Sequence, residues 1–339
     1  MRALSSLLQN RWRSGAAPVL KFRLGLMPAL LVMFALACES RAAEVVEIEH
    51  EGITRLMRVA NAGDAPRPAI ILLHGYRRPE VWAKRGDDLS GLAWRGLEAL
   101  GAAESFVVAH PASLAGRWGI IDVEANRHPE TGETVDDVGF VLAATERLVA
   151  DGLADPERLY LAGISDGGIL SLKLLCKAEH GFAGAAPLIP MLYEKWYDTC
   201  EPQPVRMILI AGTNDRILFY DGWLSQENTA VAVPQITRRF AQAFGCDRQK
   251  TEPLPDPVAE DRSSIKLTWY RQCDDGPPLE GPAEASPVWL MRVEGGGHTL
   301  PHPDPVDPDW EERAGGHNRD IDTAEEVWRF FSAPRMPTE

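Results

Sequence analysis

The sequence predicts an α/β fold: a mostly parallel central sheet with helices on both faces. Two observations carry that expectation. Short apolar runs alternate with helix-period segments along most of the chain, the pattern of strand–helix–strand units. One unit is especially clear. The apolar run Leu159–Ala162 feeds Gly163-Ile164-Ser165-Asp166-Gly167, and Ile169–Leu175 then has helical character. That is strand, sharp turn, helix, with a serine at the apex of Gly-x-Ser-x-Gly. A third observation sets the scale. The 339 residues are 45% hydrophobic and 25% charged, which suits a single large globular domain.

The first 42 residues stand apart. Arg2, Arg11, Arg13, Lys21 and Arg23 precede an apolar stretch from Leu24 to Ala37, followed by small residues. This is the pattern of a secretory signal, and the stretch is too short for a comfortable membrane span. Ser40-Arg41-Ala42 offers a small-x-small cleavage site, so the mature domain is expected to cover residues 43–339. An alternative makes Cys38 the lipidated first residue of a lipoprotein, after Ala35-Leu36-Ala37. A start at Met27 would remove most of the apolar stretch and is disfavoured.

The mature chain then reads in order. Glu44–Glu49 and Thr54–Ala60 flank Gly52 as a hairpin, and Asn61–Pro68 is a loop. Ala69–Leu73 is a continuous apolar run and hence a central strand, ending in His74-Gly75-Tyr76. A helix is expected over Leu89–Leu100, stopped by Gly101, followed by a strand over Phe106–Ala109. Pro111–Glu133 is polar and irregular, a loop over a cleft. Asp136–Ala150 is a helix with acids in its first turn, which suits the helix dipole. After the Ser165 unit come strands at Ala183–Leu188 and Met207–Ala211, the second ending in Gly212-Thr213-Asn214-Asp215. A helix over Pro234–Phe244 follows. Thr251–Ser264 is expected to be an exposed loop; Ile265–Arg271 and Val288–Val293 are strands. Glu294-Gly295-Gly296-Gly297-His298 leads into a proline- and acid-rich tract, Pro301–Glu312. A final helix, Thr323–Phe331, is capped by Asp322 with Glu325 three residues on.

Composition excludes some classes. A net charge of −14 argues against binding nucleic acid or anionic membrane surfaces. No Cys-x-x-Cys occurs, so neither a zinc site nor a redox motif is indicated. His302, Asp304, Asp307 and Asp309 do not make a calcium loop, because prolines separate them and the glycine turn is missing. No cofactor or metal is called for, and oligomeric state is not encoded legibly. Four cysteines remain outside the leader: Cys176, Cys200, Cys246 and Cys273. An even number in an exported chain suggests two disulfides. Three pairings are open, with the sequence neighbours Cys176–Cys200 and Cys246–Cys273 preferred. Of the ten tryptophans, Trp82, Trp118, Trp196, Trp223 and Trp310 fall in expected loops, where they are candidates to line a cleft.

A serine nucleophile needs a base in hydrogen-bond reach and a carboxylate to orient that base. Among eight histidines, His298 follows a strand and three glycines, which lets a loop present it over the sheet edge. His50, His128 and His180 read as surface residues; His74 and His110 have local structural roles; His302 and His317 sit in a solvated acidic loop. Asp215 ends a buried strand. Its rival Asp221, in Tyr220-Asp221-Gly222, looks like a turn aspartate. The order Ser165, Asp215, His298 is that of an α/β-hydrolase. The oxyanion hole would be the backbone N–H groups of Tyr76 and Asp166.

Five blocks, Val135–Phe140, Gly163–Gly168, Gly212–Asp215 with Tyr220–Gly222, Gly295–His298 and Arg319–Asp322, occur in the order and spacing of one family. Over about Arg67 to Phe331 the chain resembles the secreted polyhydroxybutyrate depolymerase and feruloyl esterase family of α/β-hydrolases. The resemblance implies a carboxylic ester hydrolase with Ser165 as nucleophile, Asp215 as orienting acid and His298 as base, and it favours the two local disulfides. It also implies two substrate classes: polyesters or oligomers of 3-hydroxy acids, and feruloyl or acetyl esters of polysaccharide. The absence of a substrate-binding domain after Phe331 tilts the expectation to soluble esters or short oligomers. Departures are Asp166, where relatives have a neutral residue, Leu218-Phe219-Tyr220 for Val-Pro-Tyr, and Leu300 where a tryptophan is common. The alternatives are a peptidase or thioesterase of the same fold and a non-catalytic surface binding protein.

Overall fold

The computed structural model describes residues 42–333, apart from 83, 85, 121–126, 129–130, 178, 225–228, 272, 274–282 and 284–285. The signal segment and Cys38 lie outside the described residues. Ten strands form one sheet: β1 (Glu44–His50), β2 (Ile53–Ala60), β3 (Arg67–Leu73), β4 (Val107–Pro111), β5 (Ala154–Ile164), β6 (Gly184–Leu188), β7 (Arg206–Gly212), β8 (Arg248–Pro253), β9 (Ser264–Arg271) and β10 (Val288–Glu294). Their order across the sheet is β1-β2-β4-β3-β5-β6-β7-β10-β9-β8. The six strands from β4 to β10 in that order run parallel, and the pairs at both edges are antiparallel. This strand order, with the β4–β3 crossover and an antiparallel β2, is the α/β-hydrolase fold.

Side chains on successive strand residues face opposite ways, so each central strand feeds two cores. Ala69, Ile71 and Leu73 of β3 join one buried cluster, and Ile70 and Leu72 join the other. The first cluster is covered by α2 (Asp137–Ala150), α3 (Asp166–Lys177) and α4 (Val233–Gln242), through residues such as Phe140, Leu172 and Phe240. The second is covered by α1 (Arg95–Glu104) and α6 (Thr323–Ser332), through Leu97, Val327 and Phe330. A short α5 (Pro308–Ala314) lies between β10 and α6. Asp136 caps α2 by accepting from the Gly139 N–H at 3.0 Å, and Asp322 caps α6 by accepting from the Ala324 N–H at 2.7 Å. Cys176, in the last turn of α3, is joined to Cys200, and Cys246, beyond α4, is joined to Cys273, beyond β9. No helix among the described residues is long and apolar enough to cross a membrane.

Four local expectations are corrected. Gly101 does not stop a helix. Leu89–Leu100 divides into a 3-10 turn at Ser90–Leu92 and α1, and α1 runs on to Glu104 with Gly101 inside it. That glycine is there for close packing, because a Cβ would sit 2.7 Å from Asn61 Nδ2 and 2.9 Å from the Phe106 carbonyl. Thr251–Ser264 is not all loop, since its first residues extend β8, an exposed strand paired with β9. The Pro301–Glu312 tract contains α5, started by Asp307, whose side chain accepts from the Trp310 N–H, with Pro308 behind it. His317 is buried rather than solvated. Its Nε2 lies 3.1 Å from the His302 carbonyl and 2.9 Å from that of Asp304.

Candidate active site

The carboxyl ends of the parallel strands converge on one cleft. At the end of β5, Ser165 adopts φ 55°, a left-handed conformation rare for a non-glycine residue. The turn needs its flanking glycines. A Cβ on Gly163 would fall on the Gly167 carbonyl, and one on Gly167 would fall on the Leu73 carbonyl at the end of β3. The Ser165 N–H donates to the Leu188 carbonyl at 3.0 Å, which ties the apex to β6.

Asp215 lies three residues past β7 and is buried, 5% exposed. Its Oδ1 accepts from the backbone N–H groups of Ile217 and Leu218, both at 2.8 Å, which fixes the carboxylate. Its Oδ2 lies 2.7 Å from His298 Nδ1, and His298 Nε2 lies 2.8 Å from Ser165 Oγ. Because Asp215 Oδ2 can only accept, Nδ1 carries the proton and Nε2 is free to take one from the serine. His298 is held by its own backbone, whose N–H donates to the Ala314 carbonyl at 2.9 Å. Packing of α5 against the glycine loop thus positions the imidazole. Asp221 is exposed, in the turn before Gly222.

The turn after β3 abuts the serine. A Cβ on Gly75 would lie 3.3 Å from Ser165 Cβ, which brings Tyr76 beside the nucleophile turn. Asp166 is the first residue of α3, where backbone N–H groups lack helical partners. Its side chain, odd in sequence, faces Arg117, with Nε 3.4 Å from Oδ2. Burial pushes the Asp166 carboxyl above its ordinary pKa, and the Arg117 guanidinium pulls the other way. The Arg117 guanidinium also lies over the Tyr76 ring, 4.5 Å from its centre.

Sequence reasoning did not single out Arg117, because nothing in Gly116-Arg117-Trp118 distinguishes it. Its loop is tethered from below. Asp137 accepts from the Gly119 N–H, Lys173 donates to the Gly119 carbonyl at 3.1 Å, and Arg55 donates to the Ala112 carbonyl at 3.1 Å. Trp118, expected as a candidate cleft residue, is fully buried instead, and its Nε1–H donates to the His74 carbonyl at 2.7 Å. His74 itself supports the loop, as expected. Its Nδ1 lies 2.7 Å from the Gly75 carbonyl, and its Nε2 accepts from the Ser113 N–H at 3.2 Å.

The cleft has a volume of about 590 Å³. Ser165, Asp166, His298, Tyr76, Arg77 and Arg117 line it on the polar side. Trp94, Trp223, Trp310, Met191, Leu218 and Leu300 supply apolar lining. Trp223 and Trp310 were legible as loop tryptophans; Trp94 was not. Trp82 packs near His74, with ring centres 5.4 Å apart, and Trp196 packs near Tyr193 at 5.1 Å.

No family model matches the chain. Its curated relatives are esterases. It is 24% identical over 271 residues to NocK of Nocardia uniformis subsp. tsuyamanensis, a protein assigned as an esterase by inference, covering 75% of this chain and 73% of that one. It is 28% identical over 171 residues to feruloyl esterase B of Piromyces equi, covering 48% of this chain and 29% of the Piromyces protein. Among solved structures, a puromycin-hydrolyzing peptidase of Mycobacterium tuberculosis aligns at 14% identity and TM-score 0.46, covering 78% of this chain and 37% of that one.

Proposed function

We propose that the protein is an exported serine esterase. Ser165 attacks an ester carbonyl while His298 takes its proton, and Asp215 holds the imidazole in the Nδ1–H tautomer and stabilises the imidazolium that forms. The backbone N–H groups of Tyr76 and Asp166 receive the oxyanion of the tetrahedral intermediate. His298 then returns the proton to the leaving alcohol, and water, activated by the same base, releases the acid from the acyl-enzyme. The observation that carries this reading is the unbroken chain of two hydrogen bonds, 2.8 Å and 2.7 Å, from Ser165 Oγ through His298 to Asp215.

The substrates we infer are feruloyl or acetyl esters of polysaccharide and short oligomers of 3-hydroxy acids. Similarity to feruloyl esterase B supports the first class, and the cleft tryptophans suit an aromatic or extended apolar acyl group. Export rests on the leader in residues 1–42 and on the two disulfides, which persist in oxidising compartments. The mature catalytic domain would be residues 43–339, or begin at a lipidated Cys38.

The test compares hydrolysis of p-nitrophenyl butyrate, a feruloyl ester and hydroxybutyrate oligomers by the wild type and Ser165→Ala. The expected result is turnover of at least one ester by the wild type and a loss of roughly 10⁴-fold or more in the variant. Undiminished activity in Ser165→Ala would overturn the mechanism.

A further inference from the structure

Arg77 closes the turn His74-Gly75-Tyr76-Arg77 and lines the same cleft as Ser165. Its backbone N–H donates to the Gly116 carbonyl at 2.8 Å, so the strand of loop that carries it runs beside the one that carries Arg117. Two guanidinium groups therefore sit on neighbouring segments of the lining. Their circumstances differ. Arg117 is engaged by the Asp166 carboxylate and the Tyr76 ring. Arg77 has no carboxylate within ion-pair distance among the described residues, and its Nε is buried without a hydrogen-bond partner. Burial draws its pKa down from the ordinary value, with no acid opposing the shift.

Asp166 is the one carboxylate on the described lining of the cleft, and Arg117 already holds it. A partly desolvated guanidinium with no acid beside it is poised to meet an incoming anion through its outer nitrogens, because its desolvation cost is borne before binding. Its planar fork matches a carboxylate in two-point geometry.

We propose that Arg77 forms a carboxylate-binding subsite, and that the cleft prefers esters carrying a free carboxylate on their acyl or alcohol part. The proposal rests on the esterase reading for its kinetic test but not for its binding test. The acyl arm compares p-nitrophenyl hemiglutarate with p-nitrophenyl valerate. The alcohol arm compares 3-butyryloxybenzoate with phenyl butyrate. In one of the two arms the wild type should favour the charged ester in kcat/KM by roughly 10- to 100-fold, the range of a charge-assisted hydrogen bond. That ratio should fall toward one in Arg77→Gln and recover in part in Arg77→Lys. An equal fall for charged and neutral esters in Arg77→Gln, or a wild-type ratio of one or less in both arms, would overturn the subsite. Calorimetry on Ser165→Ala with monoethyl glutarate and diethyl glutarate reads the same acyl-side preference without turnover. Tighter binding of the monoester that disappears with Arg77→Gln supports the subsite even if no ester is hydrolysed, an outcome that would sink only the esterase reading. Equal binding of the two, with no charged-ester preference in the alcohol arm, overturns it.

Discussion

Arg117 Nε lies 3.4 Å from Asp166 Oδ2 while its guanidinium covers the Tyr76 ring at 4.5 Å. One cation thus bridges the two residues whose backbone N–H groups are proposed to receive the oxyanion. It also draws the Asp166 carboxylate toward itself, which answers the difficulty of an acid placed directly after the nucleophile. The pair is partly exposed on the Arg117 side, so its value lies in orientation more than in stability.

The buried Asp166 carboxyl gives a pH-dependent prediction. Its pKa is raised on folding, by burial above all. From the ordinary carboxylate value near about 4 up to the raised value, the folded chain holds more protons than the unfolded chain. Stability from this group is therefore lost as pH rises through that window. Asp166→Asn lacks the effect. Its melting temperature relative to wild type should climb as pH rises through the window and then level off. A difference that does not change with pH would contradict the assignment.

His74 should act with the opposite sign. Burial lowers its pKa to about 3, and the neutral ring both donates to the Gly75 carbonyl and accepts from the Ser113 N–H. Between about 6.5 and 3 the unfolded chain binds a proton that the folded chain does not, so stability is lost as pH falls through that window. His74→Phe leaves the buried Ser113 N–H unpaired and should cost about 1–3 kcal/mol at pH 7. It should also flatten the acid loss of stability, by at most about 1.4 kcal/mol per pH unit. Denaturant unfolding at several pH values between 4 and 7 measures both effects.

Gly101→Ala should destabilise, although alanine is the better helix former by about 1 kcal/mol. The added methyl would crowd Asn61 Nδ2 and the Phe106 carbonyl, and Asn61 is itself fixed by a 2.7 Å bond to the Glu98 carbonyl. Overpacking of this kind costs about 1–3 kcal/mol. A stabilised variant in urea unfolding would mean that the contact relaxes.

The buried pair Arg55–Asp137, 2.6 Å apart with side chains 2% and 1% exposed, anchors the Arg117 loop from below. Asp137→Asn strands the Arg55 charge and should cost about 3–5 kcal/mol, whereas replacing both residues with apolar ones of similar size removes that charge and should cost less, the remainder being the lost partners of the Gly119 N–H and the Ala112 carbonyl. Unfolding free energies of the single and double variants decide the point. A double variant no better than the single one would count against it.

The fold was legible where apolar runs were long. Ala69–Leu73, Leu159–Ala162 and Met207–Ala211 are buried on both faces, so their hydrophobicity announces them. Ser165, Asp215 and His298, which the fold brings within hydrogen-bond reach, stood out as candidates because each follows such a run and a glycine turn. The edge strand β8 was not, since Arg248-Gln249-Lys250-Thr251-Glu252-Pro253 is exposed throughout. It pairs through its backbone and a 2.8 Å contact between the Thr251 and Thr268 hydroxyls. The α5 helix did carry a signal, Asp307 before Pro308, which the surrounding prolines and acids obscured. Arg77 and Arg117 could be found only in three dimensions. Their importance comes from what the turns bring beside them, not from their neighbours in sequence.

The most direct test of the proposed mechanism is peptide mass spectrometry after treatment with a fluorophosphonate. The account predicts one adduct, on the peptide containing Ser165, formed by the wild type and lost in Ser165→Ala and, for want of a base, nearly lost in His298→Ala. No adduct on the wild type, or equal labelling of the Ser165→Ala protein, would contradict it.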